Sequence, residues 1–322
     1  MASIGVKKHT QKTIAGLRRK KTKLFKSDEY FAYTDAMQLE AYLSSQKEFI
    51  EQSLRDRFAP LPAHSALHEA LTYSVLNGGK RIRPILTLAT AQFTGGTIEE
   101  SLSAALAVEL FHCSTLIHDD LPCMDDDDLR RGKPTTHIKF GEANAVLAGD
   151  ALIVEAFKIL AEEQRADLIY ELAAAAGKEG VIAGQVADLA AEHMSASADL
   201  VDYIHYHKTG ILIRAAIRMG AIAVHASANT LEKLTTYGEK IGVAFQIQDD
   251  ILDQTASSDT LGKTAGSDVQ QAKMTYPSVH GLAASEEKVR SLTEEARHAL
   301  QEVEGDHTIL LALANYLVER KM

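Results

Sequence analysis

The sequence is poor in the residues that interrupt helices or crosslink chains. Among 322 residues there are 6 Pro, no Trp and only two cysteines, Cys113 and Cys123. Scarce Pro together with abundant Ala and Leu favours helices over strands. Two cysteines do not make a disulfide framework, which indicates a reducing compartment. No apolar run reaches the roughly 18 residues that a membrane-spanning helix needs, so we expect a soluble protein without a transmembrane segment.

Basic residues are also scarce, except at the N-terminus. Residues 1–27 hold nine Lys or Arg and no acidic residue, whereas the remainder holds 25 basic and 44 acidic residues. The overall charge of −10 argues against a nucleic-acid-binding protein. We interpret residues 1–34 as a basic, disordered arm and expect a cytoplasmic location. An organelle transit peptide or a membrane-surface contact remains an alternative for the arm.

Apolar residues recur at helical spacing from about Thr34 to the C-terminus. Pro60, Pro62, the Gly78-Gly79 pair and Pro122 mark the ends of helices. Because neither strand alternation nor a long linker appears, residues 35–322 are expected to form one all-α domain, a single large helical bundle around a central cavity. The predicted helices cover about 34–58, 65–76, 84–93, 97–121, 142–160, 165–176, 181–192, 199–219, 229–253, 286–303 and 307–319.

Two acidic clusters stand out from this helical background. The first holds six carboxylates, Asp119, Asp120 and Asp125 to Asp128, and is followed directly by Arg130 and Arg131. Two unit charges ~4 Å apart interact by roughly 4 kcal/mol at an effective dielectric near 20, so such a cluster repels itself unless cations gather there. Mg²⁺ suits the position, since it takes one or two carboxylates together with substrate phosphates.

The second cluster lies in an apolar helical segment and contains Asp249, Asp250 and Asp253. Asp249 and Asp253 are four residues apart and therefore share a helix face. Carboxylates in a buried helix are costly unless they are paired or bound to metal. A lone acidic run is usually a solvated surface, but two such clusters, each followed by basic residues, indicate a site for diphosphates and Mg²⁺.

Basic residues occur where an anion site would need them. Gly78-Gly79-Lys80-Arg81-Ile82-Arg83-Pro84 joins a flexible Gly pair to a helix start that carries three positive charges, a pattern typical of phosphate sites. Taken singly, each basic residue has a plain alternative. The turn after Gly78-Gly79 can be solvated, Lys208 can lie on an ordinary polar helix face, and His112, on an apolar helix, can be a packed core residue.

Taken together, these motifs resemble the trans-isoprenyl diphosphate synthases, or polyprenyl synthetases, of the short-chain farnesyl and geranylgeranyl type. The resemblance spans about residues 35–322 in the family's order and excludes the basic arm. The matching motifs are Gly78 to Pro84, Asp119 to Arg131, Gly184-Gln185 with Asp188, Lys208-Thr209-Gly210, Gln246 to Asp253 and the Lys263 loop.

The resemblance implies the isoprenoid synthase fold and head-to-tail condensation of isopentenyl diphosphate with an allylic diphosphate (dimethylallyl, geranyl or farnesyl), in a homodimer that uses three Mg²⁺ ions. It implies metal ligation by Asp119, Asp125, Asp249 and Asp253, with Asp120 in support. The residues that match the allylic diphosphate site are Arg130, Lys208, Thr209, Gln246 and Lys263. Those that match the isopentenyl diphosphate pocket are Lys80, Arg83, His112 and Arg131. Of these, Asp119, Asp120, Asp125, Arg130, Lys208 and Asp249 are the expected catalytic residues.

Product length depends on the side chains about one turn before Asp119, which are expected to form the floor of the chain pocket. Here they are the small residues Ser114 and Thr115. Farnesyl-forming relatives of this type usually carry an aromatic residue at the position of Ser114. The sequence therefore predicts geranylgeranyl diphosphate, with farnesyl diphosphate as the alternative product.

Three other readings stay open at this stage. A class I terpene cyclase shares the fold, but usually carries an Asn/Ser/Glu metal motif in place of the second acidic cluster. A catalytically silent subunit of another synthase typically loses one acidic motif, and both are intact here. The basic arm also allows a membrane-surface or nucleic-acid contact protein that has lost its activity.

Overall fold

A computed structural model of the chain describes residues 27–59, 65–192, 194–255 and 273–319, with side chains from residue 37 onward. Helices dominate these residues, which confirms the all-α prediction. In chain order they are α1 (Ser27–Phe58), α2 (Ala66–Val75), α3 (Ile82–Phe93), α4 (Ile98–Asp119), α5 (Thr136–Phe140), α6 (Glu142–Glu162), α7 (Ala166–Ala176), α8 (Val181–Ala191), α9 (Ala198–Ile204), α10 (Ile211–Ala223), α11 (Ala228–Thr255), α12 (Tyr276–His280), α13 (Leu282–Gln301) and α14 (Thr308–Val318).

The first helix begins earlier than the apolar spacing predicts. It starts at Ser27 rather than near Thr34, within the segment predicted to be a disordered arm. Ser27 is followed by Asp28 and Glu29, and this is a composition favoured at helix starts that an apolar pattern does not register. The chain divides into two compact units, Met1–Ser45 and Gln46–Met322, at a point inside this helix. The predicted boundary at residue 34 does not coincide with that division.

Helix α4 forms the centre of the larger unit. It starts at a capping box in which the Thr97 hydroxyl accepts from the Glu100 backbone while the Glu100 carboxylate accepts from Thr97. It packs against α3, α6 and α10. Among the described helices it alone has the length and apolar composition to cross a membrane, but 72% of its most apolar window is buried inside the fold. It is therefore a core helix, and it ends at Asp119, shortly before Pro122.

Two short irregular elements were not predicted. Strands β1 (Leu129–Arg130) and β2 (Lys133–Pro134) pair antiparallel, so Arg130 lies opposite Lys133. A π-helical turn, His205–Gly210, joins α9 to α10, where the sequence predicts one continuous helix over 199–219. Both elements lie beside the large cavity described below.

Candidate active site

A cavity of about 1340 Å³ lies inside the larger unit, bordered by α4, α8, the π turn and α11. Its lining contains both charged and apolar side chains. The charged and titratable residues include Arg83, His112, Asp119, Asp125, Arg130, Arg131, Asp188, Lys208, Asp249 and Lys273, and the apolar residues include Phe111, Ile153, Ile182, Val186 and Leu212. This mixture suits a ligand that has both an anionic group and a hydrocarbon group.

The first acidic motif folds back on the end of α4. The Asp125 backbone N–H donates to the Asp119 carbonyl oxygen at 2.9 Å, which closes a turn and keeps the two residues together. Both residues line the cavity. Lys273, from a distant part of the chain, donates to Asp125 Oδ1 at 3.3 Å. This turn explains why the motif needs several residues between its two principal carboxylates.

Asp120 points away from the carboxylates that line the cavity. It is only 3% exposed, and its Oδ1 accepts from Arg130 Nε at 2.5 Å. Asp127 accepts from the same guanidinium at 3.2 Å. Asp120 therefore holds Arg130 on β1 at the edge of the cavity, which agrees with the supporting role that the resemblance implies for it.

The second acidic motif places two of its three carboxylates on the cavity. Asp249 and Asp250 line it, whereas Asp253 is buried and is not part of the described lining. Metal ligation by Asp253 stays a prediction. Both carboxylate oxygens of Asp250 accept hydrogen bonds from other residues.

The π turn brings Lys208 and Thr209 to the cavity, and the backbones of two other helices, α8 and α11, lie very close to it. A side chain at Gly184 of α8 would place its Cβ 2.3 Å from the Lys208 nitrogen, and one at Gly242 of α11 would lie 2.8 Å from the Gly210 Cα. Only glycine permits these approaches. Lys208 Nζ then donates to Asp188 Oδ2 at 2.5 Å, and Thr209 Oγ1 donates to Gln246 Oε1 at 2.6 Å.

The charges of the cavity influence one another strongly. Burial raises the pKa of Asp119 to about 6; the nearby Lys208 opposes this rise and the negative charge of Asp125 adds to it. Burial alone would lower the pKa of Lys208, but the charges of Asp188 and Asp119 outweigh it and raise that pKa above its ordinary value. A mostly buried carboxylate beside another carboxylate is stabilised by any cation that joins them.

The basic turn before α3 divides its charges between the core and the cavity. Arg81, in a left-handed backbone conformation, is 2% exposed and pairs with Glu109 at 2.5 Å. Arg81 is thus a structural residue. Arg83 lines the cavity, whereas Lys80 is exposed and is not part of the described lining. The three positive charges of the turn therefore do not act as one cluster.

His112 and Arg131 complete this side of the cavity. Burial, followed by the positive charge of Arg83, lowers the pKa of His112 well below its ordinary value. The neutral ring accepts from Arg83 Nη1 through Nε2 at 3.3 Å. Arg131 Nη1 donates to the Gly78 carbonyl, and a side chain at Gly79 would clash with its guanidinium. Gly79 therefore makes room for Arg131.

The residues predicted to form the pocket floor do line the cavity. Ser114 is fully buried and its hydroxyl donates to the Phe111 carbonyl at 2.7 Å. Thr115 donates in the same way to the His112 carbonyl at 2.8 Å. Both hydroxyls are satisfied within their own helix, so they add little polarity to the pocket. Their small size leaves space next to Phe111.

The donor set suits a divalent cation that also binds substrate oxygens. Among the residues that the structure describes, no three His, Cys, Asp or Glu side chains are close enough together to hold a metal alone. Mg²⁺ does not need such a cage, since it is bound through one or two carboxylates, phosphate oxygens and water. Asp119, Asp125 and Asp249 all line the cavity and would present hard oxygen ligands to such an ion.

The sequence places Lys273 only among the basic residues that flank the second acidic cluster, without a partner, and Asp188 only within a motif. The structure places Lys273 against Asp125 and Asp188 against Lys208. Lys273 carries no local signal, because its partner lies 148 residues away. Asp188 lies four residues after Gly184 on α8, and this spacing puts it on the face that approaches the π turn. Lys263, which the resemblance assigns to the allylic diphosphate, lies outside the described residues.

Comparison with known proteins agrees with this geometry. The family model described as polyprenyl synthetase matches residues 64–310. The chain is 45% identical over 294 residues to the heterodimeric geranylgeranyl pyrophosphate synthase large subunit 1, chloroplastic, of Arabidopsis thaliana, covering 87% of this chain and 79% of that protein. It is 46% identical over 282 residues to the farnesyl diphosphate synthase of Escherichia coli (strain K12), covering 84% and 94%.

A solved structure shows that the likeness extends to the fold. The crystal structure of an FPP/GFPP synthase from Zymomonas mobilis superimposes with a TM-score of 0.77 at 35% identity, covering 88% of this chain and 99% of that one. The all-α isoprenoid synthase fold, the two acidic motifs around one cavity and the sequence identity all agree. The chain belongs to the polyprenyl synthetase family and is a trans-prenyltransferase.

Proposed function

We propose that this prenyltransferase condenses isopentenyl diphosphate head-to-tail with an allylic diphosphate and releases geranylgeranyl diphosphate. The observation that carries the proposal is that one cavity is lined both by Asp119, Asp125 and Asp249 and by Ser114 and apolar side chains. A diphosphate held by the charged side chains directs its hydrocarbon chain toward the apolar ones.

The charged lining residues separate into two anion sites. Arg130, Lys208, Thr209 and Gln246 adjoin the carboxylates and are proposed to hold the allylic diphosphate, with Lys263 as a further predicted contact. Arg83, His112 and Arg131 lie together on the α3 side and are proposed to hold isopentenyl diphosphate, with Lys80 more distant. The neutral His112 ring accepts a hydrogen bond from Arg83 in the free protein. A bound diphosphate would contact both side chains, and its negative charge would raise the pKa of His112.

Asp119, Asp125 and Asp249 would hold Mg²⁺, with three ions expected from the resemblance, and the bound metal would supply charge neutralisation for the leaving diphosphate. The other contributions come from side chains of the protein. Arg130 and Lys208 stabilise the negative charge that develops on the leaving group, because both are held rigidly, by Asp120 and Asp188 respectively. The alkene of the second substrate attacks the allylic carbon, and the departing diphosphate accepts the proton lost from the product.

Identity alone does not select the product, since a geranylgeranyl and a farnesyl synthase match almost equally well. The pocket floor supplies the argument. Tyr at position 114 would fill the space beside Phe111, so Ser114→Tyr should shift the main product of the enzyme from geranylgeranyl to farnesyl diphosphate. Ser114→Ala is the matched control and should leave product length unchanged. An unchanged product from Ser114→Tyr, with turnover retained, would refute the floor argument.

The predicted homodimer is also part of the proposal. Exposed apolar side chains lie at Val146, Leu147 and Val154 on α6, at 40%, 57% and 66% exposure. Exposed apolar side chains on one helix are a candidate interaction surface. Sedimentation equilibrium should give twice the mass of one chain, and Leu147→Lys should lower it toward the monomer. A wild-type protein that sediments as a monomer would contradict this part.

A catalytically silent subunit is the second candidate function. The two acidic motifs are both complete and line one cavity, and this favours turnover. The first Arabidopsis relative is named as a subunit of a heterodimer, so the test must use this chain alone. The cytoplasmic location and the role of the basic arm stay predictions, since residues 1–26 lie outside the described residues. Deleting residues 1–26 should leave turnover unchanged.

A further inference from the structure

Asp250, between the proposed metal ligand Asp249 and the rest of α11, receives three hydrogen bonds. It is 5% exposed. Its Oδ2 accepts from His205 Nε2 at 2.7 Å and from the Tyr276 backbone N–H at 2.8 Å. Its Oδ1 accepts from Gln246 Nε2 at 3.0 Å. These contacts occupy both oxygens and satisfy a carboxylate that would otherwise be costly to bury.

His205, the first residue of the π turn, is fixed through both ring nitrogens. It is 3% exposed, and its Nδ1 lies 2.7 Å from the Val201 carbonyl oxygen, which can only accept. Its Nε2 faces a carboxylate, so both nitrogens carry protons and the ring is positively charged. Burial alone would lower the pKa of His205, but the hydrogen bond and charge of Asp250 outweigh it and raise that pKa.

The His205–Asp250 pair connects directly to residues that line the cavity. Gln246 donates to Asp250 with its amide nitrogen and accepts from Thr209 with its amide oxygen at 2.6 Å. The orientation of the Gln246 amide is therefore dictated by its two partners. On the other side, the Tyr276 N–H that binds Asp250 directly follows the lining residues Lys273 to Thr275. One buried carboxylate thus joins the π turn, α11 and the segment that carries Lys273.

We propose that His205 and Asp250 are positioning residues, which orient Thr209 and Gln246 toward the allylic diphosphate, and that Asp250 does not ligate metal. The inference deepens the proposed function and rests on it. Asp249 and Asp250 both line the cavity, but both oxygens of Asp250 already accept hydrogen bonds. A cation bound through Oδ1 of Asp250 would compete with the Gln246 amide, whose oxygen accepts from Thr209.

Two substitutions at His205 separate positioning from mere stability. The amide nitrogen of Gln reaches about as far as His Nε2, so His205→Gln can still donate to Asp250, whereas the shorter Asn cannot. We expect His205→Asn to lower kcat/KM for the allylic diphosphate about 10- to 100-fold, as losses of supporting hydrogen bonds at metal sites do. His205→Gln should restore most of it. Tyr237→Phe, which removes a buried hydrogen bond to the Leu310 carbonyl, is the stability control and should retain wild-type kcat/KM.

A double-mutant cycle with Thr209→Val tests the route of the effect. If His205 acts through Gln246 and Thr209, the double variant should be about as active as the poorer single variant. If the losses in kcat/KM of the two single variants instead multiply in the double variant, the inference is wrong.

Magnesium titration tests the claim that Asp250 does not ligate metal. The Mg²⁺ concentration for half-maximal rate should change less than 2-fold in Asp250→Asn and more than 10-fold in Asp249→Asn. A large shift for Asp250→Asn would make Asp250 a ligand and overturn the assignment.

The outcomes also separate this inference from the proposed function. Wild-type protein without any condensation activity would refute the proposed function itself. If the wild-type protein is active but the losses in kcat/KM multiply in the double variant, only the positioning role is refuted. The same holds if His205→Gln does not restore kcat/KM. If His205→Asn does not fold, Asp250→Asn takes its place in the cycle, because it preserves the side-chain volume and the acceptor for the Tyr276 N–H.

Discussion

Replacing Asp119 by Asn should make the free protein more stable while abolishing turnover. The Asp119 carboxyl is mostly buried near Asp125, and its pKa is about 6 in the folded protein against 3.8 as the ordinary value. One pKa unit corresponds to 1.36 kcal/mol, so the ionised carboxylate costs the folded state about 3 kcal/mol above pH 6. Asn removes the charge and keeps the shape, and this cost should disappear.

The sign of the pH dependence follows from the raised pKa. Well below pH 3.8 the carboxyl is protonated in both states and imposes no cost. As pH rises from 3.8 to 6 the unfolded chain ionises while the folded carboxyl stays largely protonated, so the folded state loses stability over this range. The stability gain of Asp119→Asn should therefore be about 3 kcal/mol at pH 7.5 and about half of that at pH 5. Urea unfolding at the two pH values measures both differences.

A matched control and a ligand test complete the experiment. Asp126→Asn, in the same motif but exposed, should change stability by less than about 0.5 kcal/mol. Adding Mg²⁺ and inorganic diphosphate should raise the Tm of the wild-type protein more than that of Asp119→Asn, since only the former keeps the cation ligand. An Asp119→Asn variant that is less stable than wild type at pH 7.5 would refute the argument that burial of the ionised Asp119 carboxylate destabilises the free protein.

Two further substitutions test how the fold builds the site. Gly184→Ala would bring a Cβ to 2.3 Å from the Lys208 backbone nitrogen. Steady-state kinetics should show at least a 10-fold fall in kcat/KM, while the circular dichroism spectrum should remain helical. The control is Gly95→Ala, which meets no neighbour but has a positive φ, and it should affect only stability. Arg81→Met leaves Glu109 buried without its partner and should cost about 3 to 5 kcal/mol in urea unfolding, whereas the double variant Arg81→Met with Glu109→Leu should recover part of that loss.

The helices were predictable because their signals are local. Apolar spacing, the Thr97 cap and the break at Pro122 act within a few residues, and the boundaries of α2, α4 and α8 lie within about two residues of the expected ones. The π turn was not predictable, because an i→i+5 turn in a helix-forming sequence depends on tertiary packing. Here that packing is the approach of Gly184 and Gly242 from two other helices.

The candidate site was predictable in composition but not in the direction of its side chains. The motifs identified Asp119, Asp125 and Asp249 as a set, and the structure places all three on one cavity. Asp250 lines this cavity as well, whereas Asp253 is not part of the described lining. This difference depends on the rotation of α11 in the bundle, and a sequence pattern does not encode that rotation. The same holds for the basic turn, where Arg81 enters the core and Arg83 the cavity.

The most direct test of the account is product analysis of the purified full-length chain acting alone. The protein is incubated with Mg²⁺, isopentenyl diphosphate and either dimethylallyl or farnesyl diphosphate, and products are identified by mass spectrometry. The account predicts geranylgeranyl diphosphate as the dominant product from both starters, with activity lost in EDTA and restored by Mg²⁺. Farnesyl diphosphate without further extension would contradict the open floor at Ser114, and no condensation with any allylic starter would contradict the catalytic assignment.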